Sequence, residues 1–253
     1  MRTIYTFLFL MCMYATRAQT KCDSVYINGA LHLQRDVTRE LKTVEDHIDK
    51  EVQPHSHELW AYYLSKPHPS VSVINGYFEN AAAEFGVPVQ LLKTIGQIEN
   101  NWTQMGPSID KGWGIMHLVQ NDYCNTLGEA SLLLGVSEQV LKDDARQNIR
   151  GAAALLARYK NESGVTGNRI EDWYPAVKKI AGLISDKLRT IQADRYYGTM
   201  ADGVHSTTLW QEDILLERYP GIDFNYIKSM YNDAPVNEDA SRSADYGPAI
   251  ADL

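Results

Sequence analysis

The sequence is poor in cysteine and in long hydrophobic runs, and its basic residues are outnumbered by its acidic ones. A membrane-spanning helix needs about 20 apolar residues, and no segment beyond the N-terminal one approaches this length. With 24 Lys and Arg against 32 Asp and Glu, the chain also lacks the positive charge with which nucleic-acid-binding proteins hold a phosphate backbone. We therefore expect no nucleic-acid partner.

The three cysteines exclude a cysteine-based metal motif. Cys12 lies in the N-terminal apolar run, and the wide spacing of Cys22 and Cys124 fits no metal-binding pattern. These two residues form either one disulfide across a long loop or two free thiols. The sequence predicts neither a metal nor another cofactor.

The first 18 residues have the three parts of a secretory signal peptide. Arg2 is the positive part, residues 4–14 are apolar, and Thr16-Arg17-Ala18 offers a small-residue cleavage site. We expect an exported protein that has no membrane span after cleavage near Gln19.

Helical periodicity dominates the remaining sequence, and alternating apolar and polar runs are almost absent. We therefore predict a mainly α protein with few strands, in which 44% hydrophobic residues build one main core. Residues 19–70 are predicted as a helical N-terminal extension, with a charged helical segment at 36–52. Residues 71–202 are predicted as the main domain, and 203–253 as a C-terminal helix, within 207–219, followed by a flexible tail. The predicted helix-capping residues are Ser72, Asn125 or Thr126, Ser137 and Asp144.

Glu99 is the single polar exception on the apolar face of a helix predicted over 88–102. The apolar stripe of this helix consists of Leu91, Ile95, Ile98 and Trp102. Loss of hydration in such a place favours the protonated form of a carboxyl group, which suits it to general acid catalysis. The alternative is that Glu99 ends the helix and turns outward, or pairs with an arginine.

Asn148 is a similar exception in the helix predicted to follow Asp144. It falls inside an apolar arc that includes Ile149 and Ala152. A buried amide must be hydrogen-bonded, so Asn148 either braces a neighbouring loop or contacts a ligand.

The order of these motifs resembles the soluble lytic transglycosylase and goose-type lysozyme family. In that family a helix ending in Glu-Ser is followed by a loop Ser and then by Gly-x-x-Gly-Leu-Met-Gln. Glu99 matches the family's catalytic Glu, Asn100 replaces the Ser after it, and Ser108 matches the loop Ser. The remaining matches are Gly112, Gly114, Ile115 and Met116, with His117 in place of the Gln, and Asn148-Ile149 before a run of small residues.

A closer resemblance is to the transglycosylase-like domain that precedes the amidase domain in some bacterial N-acetylmuramoyl-alanine amidases. It is carried by His117-Leu118, 126–130 and 148–156. The chain departs from the transglycosylase pattern where the family carries an Ala-Tyr-Asn-Ala-Gly block. Either Tyr196 or Tyr197 lines the cleft in place of that block's Tyr, or both pack between helices.

The resemblance implies a lysozyme-like fold and an enzyme that cleaves peptidoglycan glycan strands without a cofactor. Together with the signal peptide, it implies a bacterial protein that is periplasmic or extracellular. Glu99 would protonate the glycosidic oxygen between N-acetylmuramic acid and N-acetylglucosamine. As a carboxylate it would then remove the proton of the muramoyl 6-hydroxyl, which closes onto C1 to give a 1,6-anhydro end. The expected substrate-binding residues are Ser108, Gly114, Met116, His117, Asn148, Trp102, Trp113 and Tyr123.

Two other functions remain open from the sequence. A hydrolytic goose-type lysozyme would usually need a second carboxylate, for which Asp110 and Asp122 are the nearest candidates. A non-catalytic module would bind glycan while a separate amidase, as its partner, does the chemistry. If His117 faces Glu99, protonation of the imidazole below about pH 6.5 would keep Glu99 ionised. His117→Gln is then expected to preserve activity and extend it toward acidic pH.

Overall fold

A computed structural model describes residues 22–35, 54–108 and 110–231. In these ranges the protein is mainly α-helical with short antiparallel strands, which confirms the predicted mainly α class. The helices are α1 (Pro54–Ser65), α2 (Val71–Phe85), α3 (Val89–Asn100), α4 (Thr126–Leu134), α5 (Glu138–Asp143), α6 (Ala145–Glu162), α7 (Tyr174–Ile180), α8 (Asp186–Asp202) and α9 (Phe224–Tyr231). The strands are β1 (Cys22–Ile27), β2 (Ala30–Arg35), β3 (His68–Pro69), β4 (Gly112–Trp113), β5 (Leu118–Val119), β6 (Val204–Thr207) and β7 (Asp213–Leu216).

Local capping residues set most of the helix starts. The side chains of Asn125, Ser137 and Asp144 accept hydrogen bonds from backbone N–H groups at the starts of α4, α5 and α6, as predicted. Ser70, rather than the predicted Ser72, caps α2. Each cap bonds within three residues of itself, so the first turn of these helices depends on local sequence.

Helix α6 is the central element of the core. Its buried face packs against α2, α4, α5 and α7. Gly151 allows the close approach of α4, because a Cβ atom at this position would lie 3.0 Å from the Cβ of Ala130. Helix α8 packs against α3 and α7, and this places one of its faces beside the end of α3.

Two β-hairpins occupy segments that were predicted to be helical. Strands β1 and β2 pair around Asn28-Gly29 within the predicted helical extension, and β3 adds to β2. Strands β6 and β7 pair across most of 207–219, where the C-terminal helix was expected. The helix forms later, as α9. The first error was avoidable, because Asn-Gly readily takes the positive φ values of a two-residue hairpin turn.

Some predictions concern residues outside the described ranges. These are the signal peptide at 1–18, a helical segment at 36–52, and the tail beyond 231. Of the two alternatives for Cys124, the free thiol is the one observed. No helix within the described ranges is both long and apolar enough to cross a membrane.

Candidate active site

Glu99 lies in the last turn of α3, and its neighbour Asn100 fastens that turn to the segment that follows. Asn100 Nδ2 donates hydrogen bonds to the carbonyl oxygens of Thr103, at 2.9 Å, and Gly114, at 3.2 Å. These bonds hold the β4–β5 hairpin against the end of α3. Asn100 is therefore a positioning residue for the loop beside Glu99.

Two hydrogen-bond donors and one imidazole nitrogen lie beside the Glu99 carboxylate. Gln192 Nε2 donates to Oε1 at 2.6 Å, the Tyr196 hydroxyl donates to the same oxygen, and His117 Nδ1 lies 3.2 Å from Oε2. Gln192 and Tyr196 are four residues apart and so share one face of α8. The Glu99 side chain is 13% exposed. The expected apolar surroundings are wrong, since polar groups lie beside both carboxylate oxygens.

Tyr196 supplies an aromatic hydroxyl to the site. Burial, followed by the charge of Glu99, raises the pKa of Tyr196 well above its usual value, so the phenol stays protonated and donates. Tyr197 points elsewhere and donates to the carbonyl oxygen of Ile170 at 2.7 Å. Of the two tyrosines left open by the sequence, Tyr196 is at the site and Tyr197 is a packing residue. Gln192 was not predicted, although its spacing from Tyr196 was a signal.

His117 stands between Glu99 and a second carboxylate. Its Nε2 atom lies 3.1 Å from Asp110 Oδ1 and 2.8 Å from Ser108 Oγ. Ser108 Oγ donates to Asp110 Oδ1 at 2.6 Å and accepts a hydrogen bond from the Gly112 N–H at 2.7 Å. The predicted residues Ser108 and His117 are thus brought together with Glu99, and Asp110 joins them.

The two titratable groups of this turn stabilise each other's charged forms. Burial alone would raise the pKa of Asp110, but hydrogen bonds from His117 and Ser108 and the imidazolium charge lower it to about 2. Burial alone would lower the pKa of His117, but the hydrogen bond to Asp110 and the charges of Glu99 and Asp110 together raise it. Asp110 is therefore ionised near neutral pH, and its contact with His117 favours the protonated form of the ring.

Ser108, His117 and Glu99 have the distances of a nucleophile, a base and an orienting carboxylate. The other bonds of Ser108 argue against a nucleophile, because its oxygen accepts from the Gly112 amide and donates to Asp110. A nucleophilic serine must direct its hydroxyl proton at the base. The Ser108 hydroxyl instead donates its hydrogen bond to the Asp110 carboxylate, at 2.6 Å. Ser108 therefore braces the turn.

The turn is held in place by buried groups from distant segments. Gln104 Oε1 accepts from the Ile115 N–H at 3.1 Å, and Gln104 Nε2 donates to the carbonyl oxygens of Leu141 and Lys142. Gly96 in α3 lets the turn approach, because a Cβ there would lie 3.0 Å from Ile115 Cγ2. Gln104 was not predicted, since nothing in its local pattern shows that it is buried.

Asn148 braces this region rather than facing a ligand. Its side chain is fully buried, its Oδ1 accepts from the Met116 N–H at 2.8 Å, and its Nδ2 donates to the carbonyl oxygens of Trp113 and Leu141. Both amide hydrogens are used within the protein. Of the two alternatives for Asn148, bracing is observed, and the expectation of a substrate contact is corrected.

Three more of the expected substrate contacts are buried in the protein. Trp102 is 1% exposed, packs on Phe78 and donates from Nε1 to the Lys93 carbonyl oxygen. Met116 is buried, with its N–H bonded to Asn148, and the Gly114 carbonyl accepts from Asn100. Their burial corrects the expectation that they touch the glycan.

Trp113 and Tyr123 keep exposed surface away from Glu99's immediate contacts. Trp113 is half-buried, edge-on to Tyr63, and Lys142 Nζ lies 4.6 Å from its ring centroid. Tyr123 is exposed and borders a groove of about 710 Å³ whose wall includes Arg189 of α8. Because Arg189 precedes Gln192 by three residues, this groove begins about one helical turn from the Glu99 contacts.

Comparison with known proteins adds no relative to this picture. A scan against descriptions of protein families found no match, and a search of curated proteins likewise found no match.

Proposed function

We propose that the protein is an exported lytic transglycosylase with a lysozyme-like fold, acting on peptidoglycan in the periplasm or outside the cell. The observation that supports this most is the setting of Glu99. A carboxylate that is 13% exposed is held at a helix end by Gln192, Tyr196 and His117. Such convergence of a carboxylate, a phenol and an imidazole is typical of sites that move protons.

The proposed reaction needs one carboxyl group that serves first as acid and then as base. Glu99 gives a proton to the glycosidic oxygen between N-acetylmuramic acid and N-acetylglucosamine, and the C1–O bond breaks. Glu99 then takes the proton of the muramoyl 6-hydroxyl, whose oxygen bonds to C1 and leaves a 1,6-anhydro end. Gln192 and Tyr196 hold the carboxylate in one orientation through both steps.

The position of Asp110 favours this reaction over hydrolysis. An inverting glycosidase leaves room for a water between its two carboxyl groups. Here the imidazole of His117 fills the space between Glu99 and Asp110, with Nδ1 beside Glu99 and Nε2 beside Asp110. Asp122, the other candidate, is exposed on the loop after β5. A pathway through the sugar's own hydroxyl needs no second carboxylate.

The products of digested peptidoglycan test the proposal. Purified sacculi are incubated with the protein, and the released muropeptides are analysed by mass spectrometry. Anhydro-muramoyl ends, each lighter by one water than a reducing end, are expected. Reducing ends would indicate a hydrolase instead, and binding to sacculi without cleavage would indicate a glycan-binding module that works with a separate amidase.

Two glutamate variants separate catalysis from folding. Glu99→Gln keeps the shape of the side chain but removes the transferred proton, so cleavage should be lost while the circular dichroism spectrum is unchanged. Glu79→Gln is the matched control, because Glu79 is an exposed carboxylate on α2 whose described partner is Lys93. Retained cleavage by Glu99→Gln would exclude Glu99 as the acid.

A further inference from the structure

The imidazole of His117 is shared between two carboxylates. Its Nδ1 lies 3.2 Å from Glu99 Oε2 and its Nε2 lies 3.1 Å from Asp110 Oδ1, while the side chain is only 17% exposed. A neutral imidazole carries one N–H and can donate to only one of these oxygens, whereas an imidazolium donates to both. The geometry therefore favours the doubly protonated ring.

The charged groups around the ring act in the same direction. Glu99 of α3 and Asp110 of the turn are both anions, and both raise the pKa of His117 against the effect of burial. From α8, Tyr196 reaches Glu99 as a neutral phenol. The positive charge of Arg195 acts to lower the pKa of Tyr196, but burial and the charge of Glu99 outweigh it. Asp110 stays ionised far below neutral pH, with a pKa of about 2, so the anchor of the imidazolium persists.

We infer that Glu99 and His117 hold one transferable proton between them, and that this pair, rather than Glu99 alone, is the acid and base of the site. In the resting site the proton is on His117 Nδ1 and Glu99 is a carboxylate. The inference rests on the proposed function for the identity of the reaction. It assigns His117, found where the transglycosylase family has Gln, a role that Gln cannot fill.

Over one turnover the pair of Glu99 and His117 releases one proton and takes one back. The Nδ1 proton passes to Glu99 Oε2 and from there to the glycosidic oxygen as the C1–O bond breaks. The neutral ring keeps its Nε2–H on Asp110. When the 6-hydroxyl attacks C1, its proton goes to Glu99 and returns to Nδ1, so no proton is gained or lost.

This assignment changes the expected effect of replacing His117. The sequence suggested that a protonated His117 would oppose the acid, so that His117→Gln would preserve activity. In the wild type the ring stores the proton. In the variant Glu99 itself must carry the proton, with only Gln192 and Tyr196 left as its hydrogen-bond donors. Activity at pH 7 should then fall by at least about tenfold, and by up to the roughly 10²–10⁴-fold that general acid catalysis usually contributes. The basic limb of the pH profile should move to lower pH.

Profiles of cleavage from pH 4.5 to 8.5 test this for the wild type, His117→Gln and Asp110→Asn. Asp110→Asn removes the anchoring charge and should shift the basic limb in the same direction by a smaller amount. His205→Gln is the matched control, because His205 also faces a carboxylate, Asp213 at 3.3 Å, but is 65% exposed on β6. Superimposable profiles for wild type and His117→Gln would overturn the inference.

An NMR titration tests the pair without any turnover. The ring of His117 should titrate above the ordinary value of about 6.5, and Glu99→Gln should lower its midpoint by removing one anion. A midpoint at or below the ordinary value, or one that Glu99→Gln leaves unchanged, would refute the pairing. If the pairing is seen but sacculi yield no anhydro ends, the proposed function fails and the proton-sharing pair stands.

Discussion

The hydroxyl of Tyr196 donates to Glu99 Oε1 across 97 residues of chain. This bond joins α3 to α8 at the carboxylate that His117, in the turn between β4 and β5, also approaches. Its donor lies on the same helical face as Gln192, which bonds the same oxygen. Helix α8 is therefore part of the candidate site, although no motif marked it.

Tyr196→Phe should lower cleavage by about 10- to 100-fold, because a hydrogen bond to a charged group is worth about 1.5–3 kcal/mol. The ring is buried and Phe fills its space, so the fold should persist. Tyr197→Phe is the control. It loses a bond to the Ile170 carbonyl and should reduce the free energy of unfolding but not the cleavage rate. Equal rates for Tyr196→Phe and wild type would contradict the role given to Tyr196.

Asn148→Ala should destabilise the protein by about 3 kcal/mol or more. The substitution leaves the Met116 N–H and two carbonyl oxygens without their partner inside the core, and each unpaired buried group costs about 1–3 kcal/mol. Urea unfolding measures the change. Asn161→Ala, at an exposed position near the end of α6, should stay within about 0.5 kcal/mol of wild type. A similar small effect at both positions would show that Asn148 is not a brace.

Gly112→Ala should displace His117 from its two carboxylates. A Cβ at Gly112 would lie 2.1 Å from Cδ2 and Nε2 of the ring, so the imidazole must move. The expected result is a large loss of cleavage and a His117 pKa nearer its ordinary value, measured by NMR. Gly76→Ala is the control, since its added Cβ meets nothing within 4 Å and a helical alanine is favourable. Normal cleavage by Gly112→Ala would mean that the ring position is not required.

His68 should make folding stability fall as the pH falls below about 6.5. Burial lowers the pKa of this ring to about 3, against a weaker opposing effect of its hydrogen bond to Pro69. Between these values the unfolded chain binds a proton that the folded protein does not, so stability is lost toward acid. His117 has the opposite effect on stability. Because its pKa is raised on folding, its contribution to stability is fully present below pH 6.5 and is lost as the pH rises through its pKa in the folded protein.

Urea unfolding of wild type and His68→Gln from pH 4 to 7.5 measures this effect. The stability difference between them should change by about 1.4 kcal/mol per pH unit below 6.5. A difference that is constant over this range would show that His68 is not held neutral. Loss of the stacking on Trp210 adds an offset that does not depend on pH.

The features predicted correctly are those fixed by neighbours in sequence. Asn125, Ser137 and Asp144 cap helices because each bonds an N–H within three residues. The apolar stripe beside Glu99 is also buried as its periodicity predicts, at Leu91, Ile95 and Ile98. The prediction that Glu99 lies in apolar surroundings was wrong, because hydrophobic periodicity shows that a helical face is covered but not which residues cover it.

The features missed depend on contacts between distant segments. Gln192 lies 93 residues after Glu99 and meets it only through the packing of α8 on α3. The pairing of β6 with β7 likewise depends on tertiary packing of Ile214, which is fully buried. A polar side chain buried for hydrogen bonding, such as Gln104, has the same local signature as an exposed one.

The loop between α3 and β4 is tied to segments on both sides of the predicted 71–202 domain. Upstream, His68 Nε2 accepts from the Gln104 N–H at 2.9 Å while its ring stacks on Trp210. Downstream, Asn101 Nδ2 donates to the Thr207 carbonyl oxygen at 2.9 Å. A chain trimmed to 71–202 would keep both Glu99 and His117. It would still lose the two hydrogen bonds, to His68 and to Thr207, that hold the loop carrying Ser108. The smallest unit able to hold this site therefore extends from β3 through β7.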